Sequence, residues 1–363
     1  MSKFALGIEL DGDGAHPAAW RQAKHPPTEL LTPRRFAAVA SAAEAAGFTF
    51  ATFRDGAGAG SPNVTGRLDT VEVAAFVAAS TDRLGLVPAV NTIHAEPYHL
   101  ANQLSSLDWA SRGRSGWLAE ARESSAIAAS YGSEPVLDQS AVQREGAEVV
   151  AATRRLWDTW EDGVFIADAA NNRFLDLDKF HYADFKGEFF SIKGPSITPR
   201  PPQGQPVVFG RPGELAEELP DAVVVSADSV AGIAAVAREE RRRGVRRVVA
   251  DLEVVLDAGG PPAQQRLHAL DAASPWPASP DFLRFVGDAA ELRALLTELS
   301  GVVDGVRLLP AVLDVELEVF AEEVIPGLVS AGVFVPPAPG STLRESLGLP
   351  APVNAIATSK EPA

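Results

Sequence analysis

The chain has 363 residues, of which 32 are Lys or Arg and 48 are Asp or Glu, so its formal net charge is −16 at pH 7. This acidic balance argues against nucleic acid or an anionic membrane as the main partner, because both attract clustered basic side chains. The absence of cysteine rules out disulfides and thiolate metal sites. With no signal peptide and no apolar stretch long enough to span a membrane, a cytoplasmic location is expected.

Strand and helix patterns alternate along the chain. Short apolar runs predict strands at 4–10, 48–53, 83–90, 116–121, 205–209, 221–226, 247–256 and 305–309. Amphipathic or Ala-rich segments predict helices at 33–46, 68–80, 98–110, 140–160, 213–219, 230–243, 264–272, 288–299 and 315–331. The helix at 33–46 has the clearest signals, with Thr32 as N-cap, Pro33 in its first turn and Gly47 after its end.

This alternation predicts a parallel sheet. About eight strand-then-helix units, with no phosphate-binding glycine pattern after the first strand, favour a closed α/β barrel of the (β/α)8 TIM type over an open sheet. We expect one barrel domain over residues 1–335, with insertions after the fourth helix (an excursion with a hairpin, 162–202) and after the seventh strand (a lid region, 259–285). Residues 336–363 are expected to form an irregular tail that frays.

The functional site of such a barrel lies at the carboxyl ends of its strands. Two histidines on the loops there are candidates for catalysis. His16 follows the first strand and either acts as a general base or packs on Trp20 as a structural loop residue. His94 follows the third strand, and a structural role is the alternative for it as well. No group of histidines and carboxylates has metal-ligand spacing, so no metal is expected.

Four stretches carry a resemblance to a known family. They are HPAAWR (16–21), EPYHLANQLSSLDWASRGRSGW (96–117), RLWDTWEDG with FKGEFFSIKGPSITPRPPQGQPVV (155–208), and DGVRLLP, VIPGLVSAGVF and GSTLRESLGLP (304–350). Together they resemble the bacterial-luciferase-like flavin-dependent monooxygenase superfamily, in the branch of nitrilotriacetate, alkane and dibenzothiophene-sulfone monooxygenases. They follow the family's order over nearly the whole chain.

The resemblance implies a (β/α)8 barrel that uses O2 and reduced flavin mononucleotide (FMN), delivered by a separate flavin reductase, to oxygenate a small organic substrate. It also implies a homodimer, or a heterodimer with a related chain. The protein's task in such enzymes is to bind the flavin, exclude water and place the substrate, since the chemistry belongs to the cofactor.

The sequence departs from the family where the cofactor would be held. The family's Thr-Ser after the fourth strand becomes Ala121-Arg122, and its Gln-Ala-Gly-x-Ser after the fifth becomes a run containing Gly210 and Arg211. Because arginine grips phosphate at two points, Arg122 and Arg211 either replace the lost ligands or fill the space. The resemblance retains Asp55 and Thr92 as flavin-site residues. Cofactor-binding candidates are therefore Asp55, Thr92, Trp117, Arg122, Gly210 and Arg211.

Two other functions follow from the same departures. One is a cofactor-free paralogue without catalytic activity, either a subunit of a heterodimer or a binding protein. The other is an oxidoreductase that uses a deazaflavin, whose longer anionic tail the new arginines would meet. The lid region at 259–285 is short compared with that of the family. No sequence motif specifies the substrate.

Overall fold

The computed structural model describes residues 4–55, 66–136 and 138–358. Eight parallel strands, β1 to β8, form a closed barrel: Ala5–Glu9, Phe50–Phe53, Gly85–Asn91, Gly116–Glu120, Val207–Gly210, Ala222–Val225, Arg247–Leu256 and Gly305–Pro310. Each strand pairs with the next in the chain, and β8 pairs with β1 to close the ring. The predicted (β/α)8 barrel is confirmed.

Helices surround the barrel. In chain order, α1 to α12 are Pro33–Ala46, Thr70–Ala78, Pro97–Ala110, Ser125–Tyr131, Gln139–Trp157, Val230–Arg243, Ala263–Asp271, Ala289–Ser300, Leu313–Val319, Ile325–Ser330, Leu343–Ser346 and Ala355–Thr358. A π-helical turn joins α9 to α10. Helix α1 has the predicted ends, because the Thr32 side chain accepts from the Arg35 N–H and Gly47 adopts a φ of 104°. In the part of the chain that the structure describes, no helix is long and apolar enough to cross a membrane.

Glycine on the strands makes room for large residues inside the barrel. A Cβ on Gly7 would lie 2.3 Å from the Phe50 ring, so β1 has no side chain where β2 places an aromatic one. Gly85 and Gly116 leave a similar space, which Leu343 of the tail fills: added Cβ atoms would lie 2.6 and 3.0 Å from its methyl groups. The tail therefore completes the core of the barrel.

The tail is held more firmly than the expected irregular segment. Leu343, Leu347 and Leu349 are buried in the barrel core. The Arg344 guanidinium donates to Asp221 Oδ1 at 3.1 Å and to Oδ2 at 3.2 Å. Regular structure in the described part of the tail is limited to α11 and α12, so side-chain packing rather than secondary structure fixes its position.

One local prediction was wrong, and two short strand pairings were missed, while the hairpin predicted in the excursion is present. A strand at Leu283–Gly287, which follows a Pro-rich sequence, was not predicted. It pairs in parallel with Leu252–Leu256 at the outer end of β7. Residues 213–219 form turns instead of an acidic helix. The excursion holds two short hairpins instead of one, with Phe165–Asp168 pairing with Arg173–Leu175 and Phe185–Lys186 with Ser191–Ile192. Other residues of the lid region, Asp271 and Trp276, contact the loop after β1.

Candidate functional site

A cavity of about 350 Å³ lies at the carboxyl edge of the barrel, beside β1, β2 and the first turns of α1 and α2. Its walls are mainly apolar and include Leu10, Leu31, Phe36, Val39, Phe53 and Val73. An apolar concave site with a few polar groups is the usual form of a small-molecule site. The cavity therefore lies at the carboxyl ends of the strands, where a barrel of this type is predicted to have its site.

Three arginines lie among the cavity residues. Arg54 Nη2 donates to Glu9 Oε1 at 2.6 Å, and Arg67 Nη2 donates to Asp11 Oδ2 at 2.8 Å. Arg35 binds Asp314 through Nη1. Of these three arginines, Arg35 (Nε and Nη2) and Arg67 (Nη1) have buried N–H groups without a hydrogen-bond partner among the described residues. Each of the three arginines is thus held by an acidic side chain at the edge of the cavity.

His16 lies in the loop after β1 with its side chain fully buried. Its Nδ1 accepts from the Ala18 N–H at 2.9 Å, so the proton is on Nε2, which donates to Asp271 Oδ1 at 3.2 Å. The ring also packs edge-on against Trp276, with centroids 5.2 Å apart. Burial lowers the pKa of His16 despite the carboxylate of Asp271. Both ring nitrogens have partners, so His16 joins the β1 loop to the lid region.

A second histidine of this loop was missed by the sequence reasoning. His25 Nε2 lies 2.6 Å from Asp13 Oδ1, and its Nδ1 lies 2.9 Å from the Pro26 carbonyl oxygen. Both partners are acceptor oxygens, so the ring links Asp13 to the segment that follows it in the loop. Asp13 lines the cavity. The pair could have been predicted from the presence of an acidic residue and a histidine within one long loop.

His94 lies on the loop after β3, outside the cavity wall. Its Nε2 is 2.8 Å from Glu123 Oε2, and its ring stacks on Tyr131 with centroids 4.4 Å apart. Burial, followed by the charges of Asp55 and Asp69, raises the pKa of the Tyr131 hydroxyl. His94 and His16 therefore lie in separate side-chain clusters.

The two residues retained from the family pattern hold the loop after β3. Asp55 Oδ2 accepts from the Asn91 N–H at 2.9 Å. The N–H and the hydroxyl of Thr92 both donate to the Glu120 carbonyl oxygen, at 2.8 and 3.2 Å. Gly146 of α5 packs against this hydroxyl, because an added Cβ would lie 3.0 Å from it. Both side chains thus fix the backbone around Glu120.

Trp117 and Gly210 face away from the barrel axis. Trp117 is fully buried in the layer between the strands and the helices, and its Nε1 has no partner among the described residues. A Cβ on Gly210 would lie 2.9 Å from a Leu215 methyl group. The geometry therefore gives both residues a packing role and places neither in the cavity wall.

A network of buried charges fills the mouth of the barrel. We call it the mouth network, and it consists of Glu9, Glu120, Arg211, Asp251 and Arg307. The Arg307 guanidinium donates from Nε to Asp251 Oδ1 at 2.6 Å and from Nη2 to Oδ2 at 2.7 Å. Its Nη1 lies 3.6 Å from Glu9 Oε2. Arg211 Nη1 donates to the same Asp251 Oδ2 at 3.2 Å.

The charge states of the network follow from this pairing. Burial alone would raise the pKa of Glu9, but Arg54 and Arg307 lower it more. Burial likewise opposes ionisation of Asp251, yet Arg307 and Arg211 hold its pKa below the usual value. Burial disfavours the charged guanidinium of Arg307, but Asp251 outweighs this effect and raises its pKa. Both carboxylates and Arg307 are therefore charged at neutral pH.

The predicted anion ligands Arg122 and Arg211 belong to this region. Arg122 Nη2 donates to Glu120 Oε2, and Arg211 Nε lies 3.8 Å from Glu120 Oε1. The described residues of the mouth and the cavity edge include six arginines, Arg54, Arg67, Arg122, Arg211, Arg284 and Arg307. Six carboxyl groups face them, Glu9, Asp11, Glu120, Glu214, Asp251 and Glu253.

These features test whether the residues fit a flavin. The apolar walls and the size of the cavity fit a planar ring system. The described residues fit the phosphate of FMN less well, because both arginines predicted to bind it are paired with Glu120. The described residues thus offer a site for the ring and no unpaired guanidinium beside Glu120 for the phosphate.

Glu9, Asp251 and Arg307 were missed by the sequence reasoning. Each interrupts an otherwise apolar strand, in GIEL, VADLEVV and GVRLLP. A charged residue inside a buried strand needs a partner. Charges of opposite sign in several strands of one barrel were therefore the signal that could have revealed the network.

Comparisons with known proteins agree with the fold. Residues 15–270 match the family model described as luciferase-like monooxygenase. N-acetyl-S-(2-succino)cysteine monooxygenase of Bacillus subtilis is 27% identical, over 98% of this chain and 98% of that protein. Nitrilotriacetate monooxygenase component A of Aminobacter aminovorans is 25% identical, over 97% and 98% respectively. The crystal structure of a long-chain alkane monooxygenase is 20% identical and superposes with a TM-score of 0.84, covering 99% of this chain and 100% of that one.

Proposed function

The chain belongs to the luciferase-like monooxygenase family, and from this premise we propose that it uses O2 and reduced FMN to oxygenate a small organic substrate. A separate reductase supplies the reduced flavin. The observation that carries the proposal is the apolar cavity at the carboxyl edge of the barrel, the place where barrel enzymes hold their ligands.

The flavin, when bound, supplies the activation of O2. The residues of the chain bind the flavin, orient the substrate and shield the reacting groups from water. The apolar side chains of the wall, such as Phe36, Val39 and Phe53, exclude water from the reacting groups. The His16 ring, bonded to Asp271, holds the lid region against the β1 loop. Because His16 also lines the cavity, this contact fixes one residue of the cavity wall.

The substrate is proposed to be an organic acid. Arg35, Arg54 and Arg67 line the cavity, and guanidinium groups are suited to carboxylate oxygens. The two relatives that align over nearly the full chain are named for N-acetyl-S-(2-succino)cysteine and nitrilotriacetate, both of which carry several carboxylates. These two compounds are the first to test.

A cofactor-free role in a complex with a related chain is the second candidate. The pairing of Arg122 and Arg211 with Glu120 favours it, because it leaves the expected phosphate ligands occupied. A dimer, of identical or related chains, and a cytoplasmic location are part of both proposals. The absence of cysteine suits a reducing compartment.

The test is a turnover assay under 18O2. The protein is mixed with a flavin reductase, NADH, FMN and each candidate acid, and the products are analysed by mass spectrometry. The expected product contains one oxygen atom from 18O2, and a reaction without the protein gives none. If all candidate acids stay unchanged and the protein binds no flavin, the cofactor-free role is the better account.

A further inference from the structure

Glu120 lies at the end of β4, and its side chain is only 5% exposed. One of its oxygens accepts from Arg122, and the other lies 3.8 Å from Arg211 Nε. Arg122 follows β4 and Arg211 follows the adjacent strand β5, so the two guanidinium groups approach the same carboxylate from neighbouring loops. A single carboxylate thus pairs with both guanidinium groups.

Arg211 has a second carboxylate partner. Its Nη1 donates to Asp251 at 3.2 Å, and Asp251 in turn binds Arg307 at two points. A phosphate that took Arg211 would remove one of the two guanidinium partners from both Glu120 and Asp251. Such an exchange is unfavourable, because breaking a buried ion pair leaves an uncompensated charge.

We infer that Glu120 prevents this chain from recognising the flavin phosphate. The chain then binds flavins through their ring and has equal affinity for FMN and riboflavin. The inference rests on the proposed use of a flavin. A phosphate gains affinity from unpaired donors and from excess positive charge. The arginines beside Glu120 supply no excess positive charge, since Glu120 and Asp251 already pair with them.

The test compares the affinities of FMN and riboflavin by anaerobic titration at low ionic strength, with flavin fluorescence as the readout. For the wild-type protein, we expect the two dissociation constants to agree within about twofold. Glu120→Gln keeps the size of the side chain but removes its charge, which frees Arg122 and leaves Arg211 with Asp251 as its carboxylate partner. FMN should then bind about tenfold more tightly than riboflavin, and added salt should reduce this preference.

Glu253→Gln is the matched control. Glu253 belongs to the same mouth but accepts from Arg284 Nε at 2.7 Å, on the lid strand. The control makes the same change in net charge and should leave the FMN-to-riboflavin ratio at the wild-type value. In the Glu120→Gln background, Arg122→Ala should lower the ratio again. Equal effects of Glu120→Gln and Glu253→Gln would overturn the assignment to Glu120.

The wild-type protein provides a readout that does not depend on any variant. The 31P resonance of FMN bound to it should titrate with pH as in free FMN, because no guanidinium holds the phosphate. A lowered phosphate pKa, or a wild-type preference for FMN of about tenfold or more, overturns the inference and leaves flavin use intact. Failure to bind either flavin overturns both the inference and the proposed function.

Discussion

Arg307 and Asp251 form a two-point ion pair inside the barrel, with N–O distances of 2.6 and 2.7 Å. They lie on the paired strands β8 and β7, where Asp251 is opposite Arg307 in the register. Both side chains are almost completely buried. The pair therefore connects the last strands of the barrel to the charges of the mouth.

Asp251→Asn should strongly destabilise the fold. The substitution leaves the buried Arg307 without its counter-charge, and breaking a buried pair in this way costs about 3–5 kcal/mol. Replacing both partners, in Asp251→Leu/Arg307→Met, should cost less than Asp251→Asn alone, since no charge remains unpaired. Urea unfolding at neutral pH measures the free energy of each variant.

Arg144→Ala is the control for this prediction. Arg144 pairs with Glu188 on the surface, where the side chains are 45% and 56% exposed. Water screens such a pair, so the free energy of unfolding should hardly change. Equal unfolding free energies for Asp251→Asn and the control would show that the Asp251 pair does not hold the barrel.

The stability of the protein should fall on acidification below the usual pKa of histidine, about 6.5, and His16 should account for part of the loss. Burial lowers the pKa of His16 in the folded state, so the unfolded chain binds this proton first. The unfolding free energy then rises with pH between the folded pKa and the unfolded pKa. His16→Asn should flatten the pH dependence in this range.

This change is measured as the difference in urea midpoint between pH 7.5 and pH 5.5, for wild type and His16→Asn. His268→Asn is a suitable control, because His268 lies on α7 and is exposed. An unchanged pH dependence in His16→Asn would contradict the assignment of a neutral, buried His16.

Leu347→Ala should lower the free energy of unfolding by about 2–5 kcal/mol. Leu347 is 2% exposed and packs with Leu343 inside the barrel, so truncation leaves a cavity in the core. Val353→Ala, in the same tail but with 70% exposure, should be nearly neutral. Similar stability of the two variants would mean that the tail does not complete the core.

The sequence predicted the barrel well because hydrophobic periodicity is a local property. The eight strands lie where apolar runs occur, and the loops with Arg122 and Arg211 meet at one edge because parallel strands end together. The lid strand Leu283–Gly287 was missed because its pairing with β7 depends on a partner about thirty residues away in the chain. Short strands of this kind have little signal of their own.

The partners of the site residues could not be predicted. Arg122 and Arg211 were expected either to hold an anion or to fill its place, and the choice depends on Glu120 and Asp251. Asp251 is 40 residues from Arg211 in the chain, so no local pattern links them. Likewise, the contact of His16 with Asp271 spans 255 residues, and only the folded chain brings the lid to the first loop.

The binding of reduced FMN to a variant with a narrowed cavity tests the central claim most directly. Leu31 lines the cavity and is 42% exposed, so Leu31→Trp should fill space without disturbing the core. Phe76→Trp on α2 is the matched control, since Phe76 is 47% exposed and lies outside the cavity wall. In an anaerobic titration, the account predicts wild-type affinity for Phe76→Trp and at least about tenfold weaker binding for Leu31→Trp. Equal affinity of wild type and Leu31→Trp, or no binding by either, would contradict it.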